Sequence, residues 1–366
     1  MPVFIHDIVS ANPEMSFEQN LARDILKEKL GQNRKVRAIL HAIYGYSGIE
    51  KRHTVLDDAL DESPNSFFNR AFSDEVEGPT TEERNEVYTE ASSKLFLEIG
   101  NKLLERNTSF STSEITHVIT VSCTGFYAPG PDFEIVKGLG LKPSTQRFHL
   151  GFMGCYAAFP ALKMAEAFCK ADPDATVMVI CTELCTLHFQ NKTDLDNLVA
   201  ASVFADGSAG VLVSSKEPAG KGYQMDGFAS SLAYEGEKDM AWTIGDTGFD
   251  MILSSYVPDI IESNLGGIIT PLLNEFSITK KDVETWAIHP GGRAIIDKVV
   301  EAMQLKEEQV QSSRKVLANY GNMSSATVLF VLKDILSRCP ENGSRVLPIA
   351  FGPGLTIESG LFRVVS

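Results

Sequence analysis

The chain has 366 residues, enough to bury a sizeable core as one two-lobed unit or as two fused halves. With 43% hydrophobic and 22% charged residues, its composition is that of a soluble globular protein. Its 33 basic and 48 acidic side chains leave a formal charge of -15, which argues against non-specific binding of nucleic acid or anionic membrane by the whole surface. An anionic substrate stays open, because a local basic patch outweighs a distant negative surface. No apolar run reaches transmembrane length, and the N-terminal MPVFIHDIVSANPEMSF has no basic stretch followed by an apolar one, so a cytoplasmic location is expected. The six cysteines (Cys123, Cys155, Cys169, Cys181, Cys185 and Cys339) are too dispersed for a disulfide framework.

In chain order, VFIHDIV near the N-terminus reads as a strand, and residues 17–35 carry the apolar and charged spacing of a helix. The basic trio Lys51, Arg52 and His53 follows, a candidate anion contact in so acidic a chain, or else a solvated helix end. Residues 64–91 read as a surface excursion leading into a helix, with Thr80 and Thr81 before Glu82 and Glu83 as its start signal. That helix runs to about residue 105, and residues 115–122 then form a buried strand. From there the pattern repeats. The first half has a strand ending at Cys123, a Gly/Pro turn, a helix near PDFEIVKGLGL, an irregular strand into a Cys155 helix, and a strand over 175–183. The second half has VETWAIHPGG (283–292), the helix RAIIDKVVEAM, LANYGNMSSATVLFVLKDIL (317–336) and a strand over 345–352. Between the halves, residues 188–218 hold a helix, a turn at Ala205-Asp206-Gly207 and a strand. Residues 221–250 alternate like an antiparallel ribbon across the mouth of a site. Residues 258–276 form an amphipathic helix, weak at Gly266 and Gly267 and breaking near Pro271.

The repeat places its polar groups in register. Cys155 follows Cys123 by 32 residues, and Asn322 follows His289 by 33. Each half thus presents one group at a strand end and another at the next helix start, and a pseudo-twofold stacking converges all four on one crevice. Cys155 stands between small residues at a helix start, where free N–H groups and the positive helix end favour a thiolate. His289 lies in HPGG, which ends its strand abruptly, and an imidazolium is a suitable partner for a thiolate. Asn322 offers a neutral amide donor that stabilises a carbonyl oxygen becoming an enolate. Such a set serves either a hydrolase or a carbon–carbon condensing enzyme, and its division between two matched halves favours condensation. FGPGLTIESG (351–360) is a turn between strands whose backbone, at Gly352 and Pro353, forms a pocket wall. Cys181, Cys185 and His188 have a metal-like spacing, but they straddle a strand end without a second paired motif. No metal is expected there, and Glu183 reads as a structural carboxylate.

GCYAA around Cys155, AIHPGGRAIID around His289, YGNMSSATVLFVL around Asn322 and FGPGLTIE near the C-terminus are together similar to a type III polyketide synthase of the chalcone and stilbene synthase superfamily. The resemblance spans residues 1 to 366. It implies an α/β, thiolase-like fold of duplicated halves in five αβαβα layers, here residues 1–218 with the cysteine and 219–366 with the histidine and asparagine. It also implies a homodimer with malonyl-CoA and acyl-CoA as substrates, no permanently bound cofactor and no acyl carrier protein. By matching motifs, Cys155 is the nucleophile, while His289 and Asn322 bind the malonyl thioester and stabilise its enolate. Phe204 matches a gatekeeper phenylalanine, and Lys51 and Arg52 match a basic stretch near the coenzyme A phosphates. Five positions depart from the plant enzymes: Cys123 and His188 replace threonines, Met251 a second gatekeeper phenylalanine, Trp242 a glycine and Arg293 a proline. These departures point away from a coumaroyl starter, toward a bacterial origin and an aliphatic or malonyl-derived one. The rival reading is a β-ketoacyl carrier-protein synthase III, which performs a single condensation.

Overall fold

The computed structural model describes every residue except 32, 59–60, 62, 74–76 and 255. Residues 74–76 of the expected surface excursion lie outside the described residues. The chain opens with strand β1 (Val3–Ala11) and the short β2 (Ser16–Glu18), then helices α1 (Gln19–Leu30) and α2 (Arg34–Tyr46) and strand β3 (Lys51–His53). After the short α3 (Phe67–Ala71) comes α4 (Thr81–Arg106), the longest helix among the described residues. Its start is a capping box, in which Thr80 Oγ1 accepts from the Glu83 N–H and the Glu83 carboxylate accepts from the Thr80 N–H. Then follow β4 (His117–Ser122), α5 (Pro131–Gly138), β5 (Gln146–Gly151), α6 (Ala158–Ala171), β6 (Thr176–Leu184), α7 (Leu195–Val203) and β7 (Asp206–Ser214). The rest of the chain supplies β8 (Gly222–Leu232), the ribbon β9 (Met240–Gly245) and β10 (Gly248–Leu253), α8 (Val257–Glu275), β11 (Thr285–Ile288), α9 (Arg293–Met303), α10 (Glu307–Tyr320), α11 (Thr327–Ser337), β12 (Arg345–Gly352) and β13 (Thr356–Val365).

Nine strands form one sheet in the order β11-β12-β13-β8-β1-β7-β6-β4-β5. The order is a palindrome about the β1–β8 seam. On one side β4 lies parallel to β6, β6 antiparallel to β7, and β7 antiparallel to β1. On the other, β11 lies parallel to β12, β12 antiparallel to β13, and β13 antiparallel to β8. The seam itself is antiparallel, with Phe4 opposite Gln224, as a twofold axis between like halves requires. Only β5 lacks a counterpart.

Three apolar clusters divide the structure into five layers. The central one joins α6 (Phe159, Leu162, Ala165) and α11 (Leu329, Val331, Leu332) to one face of both half-sheets. A second packs α1, α2 and α4 on the other face of β1, β4, β6 and β7, and a third packs α8, α9 and α10 on β11, β12 and β13. This is the duplicated, thiolase-like α/β arrangement. β6 and β7 are buried along their whole length, in keeping with the apolar run VMVIC in β6 and VLV in β7. No helix among the described residues is long and apolar enough to cross a membrane.

Four local expectations need correction. The single helix over 17–35 is α1, ending at Gly31, and the start of α2, which Asn33 caps by accepting the Lys35 N–H (2.8 Å). Ala205-Asp206-Gly207 is no turn: Asp206 opens β7, its buried carboxylate accepting from the Thr186 N–H (2.9 Å) and hydroxyl (2.6 Å) and the Val55 N–H (2.8 Å). Pro271 does not break α8, because Leu265, Ile268, Ile269, Leu272 and Leu273 hold it on the sheet through the proline. Residues 221–250 are not one ribbon, since β8 lies at the centre of the sheet and only β9 and β10 stand apart.

Leu329 is fully buried in the central layer against both half-sheets. Leu329→Ala is expected to destabilise the fold by about 2–5 kcal/mol, read as a fall in the urea midpoint with the m-value retained.

Candidate active site

The ends of β4 and β11 and the turns before α6 and α11 meet around one cavity of about 260 Å³. Cys155, His289, Asn322, Cys123, Phe204, Trp242, Met251 and Pro353, all singled out from the sequence, line it. Leu195, itself exposed, lines it as well, so the cavity opens on the α7 side.

Cys155 sits three residues before α6, not in its first turn. The turn beneath it depends on Gly154, whose φ is +83° and whose added Cβ would lie 2.2 Å from Pro353 Cδ. The Gly154 N–H donates to Cys123 Sγ (3.0 Å), tying the two cysteine-bearing segments together. Cys155 Sγ lies 3.9 Å from Asn322 Oδ1 and 4.0 Å from Nδ2. Burial pushes its thiol up to about 12, so the expected helix-end activation does not prevail in the unliganded protein.

The Asn322 carboxamide is fixed at both ends. Its Oδ1 accepts from the Ser324 N–H (2.9 Å), and its Nδ2 donates to the Gly291 carbonyl (3.2 Å). Its backbone is fixed as well: the Asn322 N–H donates to the Val203 carbonyl (2.8 Å), and the Ala205 N–H donates to the Asn322 carbonyl (2.9 Å). His289 is 1% exposed, and neither ring nitrogen has a partner among the described residues. Burial holds its pKa down to about 3, so the ring is neutral and is no imidazolium partner for Cys155 at neutral pH. Buried polar atoms without protein partners are rare, and His289 is among the residues that line the cavity. A neutral imidazole there offers one donor and one acceptor.

The remaining expected residues divide. Cys123 is a hub: its N–H donates to Glu183 Oε2 (2.9 Å), and its carbonyl accepts from Trp242 Nε1 (2.8 Å). Glu183 is fully buried and also accepts from the hydroxyls of Thr124 and Ser325, the structural role read from the sequence. His188 does not line the cavity. It stands behind Trp242 and stacks on Phe249 at 4.0 Å, beside a small void of about 30 Å³. Its Nδ1 accepts from the Phe249 N–H (3.1 Å), so Nε2 carries the proton and donates to the Thr124 carbonyl (2.8 Å). Gly352 also lies behind the wall, where an added Cβ would meet Tyr156 Cδ1 at 2.5 Å. Arg52, expected with Lys51 at a coenzyme A phosphate, is 1% exposed and turned inward, its donors taken by internal oxygens. Lys51 is half-buried and remains the candidate of the pair.

Cys185, Thr124, Ser324 and Phe351 also line the cavity and were not anticipated. Cys185 had been weighed only for a metal, and among the described residues no cluster is arranged to hold one. Its signal was its place one residue beyond a buried strand; Ser324 lay in plain view two residues after Asn322.

Two outcomes follow. With His289 neutral and the thiol raised, the rate of Cys155 alkylation by iodoacetamide should climb roughly tenfold per pH unit between about pH 6 and 10. A plateau below about pH 8 would instead reveal a preformed ion pair. Gly154→Ala should slow that alkylation at fixed pH and lower the melting temperature, because Pro353 has to move.

The N-terminal domain model of the chalcone and stilbene synthases matches residues 3–217, and the C-terminal domain model matches residues 228–366. The chain is similar in structure to PKS-I from the brown alga Ectocarpus siliculosus, with 26% identity, a TM-score of 0.91 and coverage of 100% of this chain and 98% of that one. It is likewise similar to the C-terminal type III polyketide synthase domain of Steely1, a type I/III hybrid from Dictyostelium, with 27% identity, a TM-score of 0.90 and full coverage of both chains. 1,3,6,8-Tetrahydroxynaphthalene synthase from Streptomyces coelicolor A3(2) shares the fold at 24% identity, with a TM-score of 0.89 over 99% of both chains. Matched over both halves by these family models and built on the same frame, the chain belongs to the chalcone and stilbene synthase family and is a type III polyketide synthase-like acyltransferase.

Proposed function

We propose that this enzyme builds a polyketide by repeated decarboxylative Claisen condensation. Cys155 attacks the carbonyl of an acyl-CoA starter, its proton passes to the departing sulfur, and coenzyme A leaves as its thiol. Malonyl-CoA then binds with its thioester oxygen between the His289 ring N–H and Asn322 Nδ2. Loss of carbon dioxide leaves an enolate, whose oxygen those two donors stabilise. The enolate carbon attacks the Cys155 thioester, the carbon–sulfur bond breaks to release the Cys155 thiolate, and the chain passes to coenzyme A, lengthened by two carbons. After reloading and further rounds it cyclises to a pyrone or a phenolic ring.

The observation that carries this reading is the pair of unpartnered His289 nitrogens beside the fixed Asn322 amide, on the wall that also bears Cys155. A neutral imidazole is suited to the task, since it polarises a carbonyl without adding a permanent charge to an apolar cavity. The apolar lining, with Met251, Trp242 and Phe204 among it, favours an aliphatic or malonyl-derived starter over a larger phenolic one. We take the halves as 1–218 and 219–366, the active form as a homodimer, and the substrates as free coenzyme A thioesters.

Purified protein given malonyl-CoA alone, and with a panel of acyl-CoA starters, should yield ring products that retain the starter plus two or more C2 units by mass spectrometry. A product of one extension, or none until an acyl carrier protein is supplied, would transfer the protein to the single-condensation reading. Asn322→Ala should slow malonyl-CoA decarboxylation by about 10²–10³-fold.

A further inference from the structure

Arg52 is left without a task by the chemistry above, yet it is a cation held at 1% exposure. Burying a guanidinium is costly unless its donors are met. Here they are met by neutral oxygens. Nε donates to Gln19 Oε1 (2.9 Å), and Nη1 donates to the carbonyls of Ala201 (2.8 Å) and Phe204 (2.6 Å), while Nη2 lies 3.5 Å from the Tyr44 hydroxyl. The rings of Phe17 and Tyr44 lie 5.0 and 5.7 Å from its central carbon. The two carbonyls belong to the C-terminal end of α7 and the residue beyond it, where a helix end favours a cation.

What those carbonyls adjoin gives the arrangement its meaning. Residues 203 and 205 flank Phe204, and they are the two that hold the Asn322 backbone. Gly321 presses on the arginine from the opposite side. Its φ is +69°, and an added Cβ would lie 2.9 Å from Arg52 Cγ and Cδ and from the Val203 carbonyl. The arginine stem therefore lies directly under the residue before Asn322, while its head grips the residue that walls the cavity.

We propose that Arg52 is a positioning residue for the malonyl-CoA step: it locks the 203–205 backbone and through it sets the Asn322 carboxamide and the Phe204 ring. The inference rests on the condensing chemistry proposed above. A single-ångström displacement of a group that binds the reacting oxygen costs on the order of a hundredfold in rate.

Arg52→Met keeps the stem and removes the donors; Arg52→Lys keeps the charge without the fork that spans two carbonyls. In Arg52→Met, amide exchange in peptides covering 203–205 and 321–324 should speed up at least tenfold while the rest of the chain holds. The kcat for malonyl-CoA decarboxylation should fall about 30- to 100-fold with KM within about threefold. Cys155 alkylation should stay within about twofold, because that thiol is held by the Gly154 turn, and Arg52→Lys should fall between the two. Should Arg52→Met fail to fold, the lysine variant carries the same comparison. Unchanged exchange and unchanged kcat would overturn the proposal. So would a raised KM with kcat intact, which returns Arg52 to coenzyme A binding, or a parallel loss of all readouts with melting temperature, which makes it a general core residue. A wild-type protein that consumes no malonyl-CoA would sink the condensing reading, and the exchange data would still decide whether Arg52 holds Asn322.

Discussion

The backbone bridge between residues 204 and 322 joins two stretches that are far apart in sequence. One is the link from α7 to β7, the other the loop that precedes α11. Two hydrogen bonds cross it, and both involve the main chain of Asn322, whose side chain faces Cys155. Main-chain anchoring of this kind restricts a side chain more than packing alone, because it removes the freedom of the Cα as well as of χ1. Phe204 is fixed by the same pair of bonds. The shape of the cavity and the aim of its amide are therefore set together, and a change at either residue is felt at the other.

The electrostatic character of the site comes from dryness. His289 and His188 are held neutral by burial, and Cys155 is kept as a thiol. His188 satisfies both its nitrogens, so its neutrality is structural. His289 has no partner for either nitrogen among the described residues, and it lines the cavity. In the proposed reaction the negative charge enters on the malonyl carboxylate and moves to the enolate oxygen as neutral carbon dioxide leaves, where dipoles already in position meet it.

Much of this was legible in the sequence because the fold is a repeat. The matched intervals from Cys123 to Cys155 and from His289 to Asn322 correspond to two strands and two helix starts related by the β1–β8 seam. The buried strands β6 and β12 were read from their apolar runs to within a residue. What escaped were features decided by tertiary contact. Pro271 was given its local meaning, and packing overrode it. Asp206 next to glycine reads as a turn until Thr186 and Val55 supply partners from elsewhere in the chain. Arg52 in a basic trio reads as an anion contact or a solvated end, and nothing in KRH says that its middle residue alone faces the core while its neighbours stay half-buried.

The β9–β10 ribbon belongs to neither half of the palindrome. It is hung on the repeat by the Trp242 bond to the Cys123 carbonyl, by Phe249 stacked on His188, and by Thr81 accepting the Gly248 N–H. Cys155, His289 and Asn322 stand on the duplicated frame, whereas Trp242 and Met251, which close one side of the chamber, stand on this appendage. The cavity lining is thus shared between the duplicated frame, which carries Phe204, and an appendage outside the repeat. A change in this ribbon alters the chamber's wall without breaking a ladder of the nine-stranded sheet.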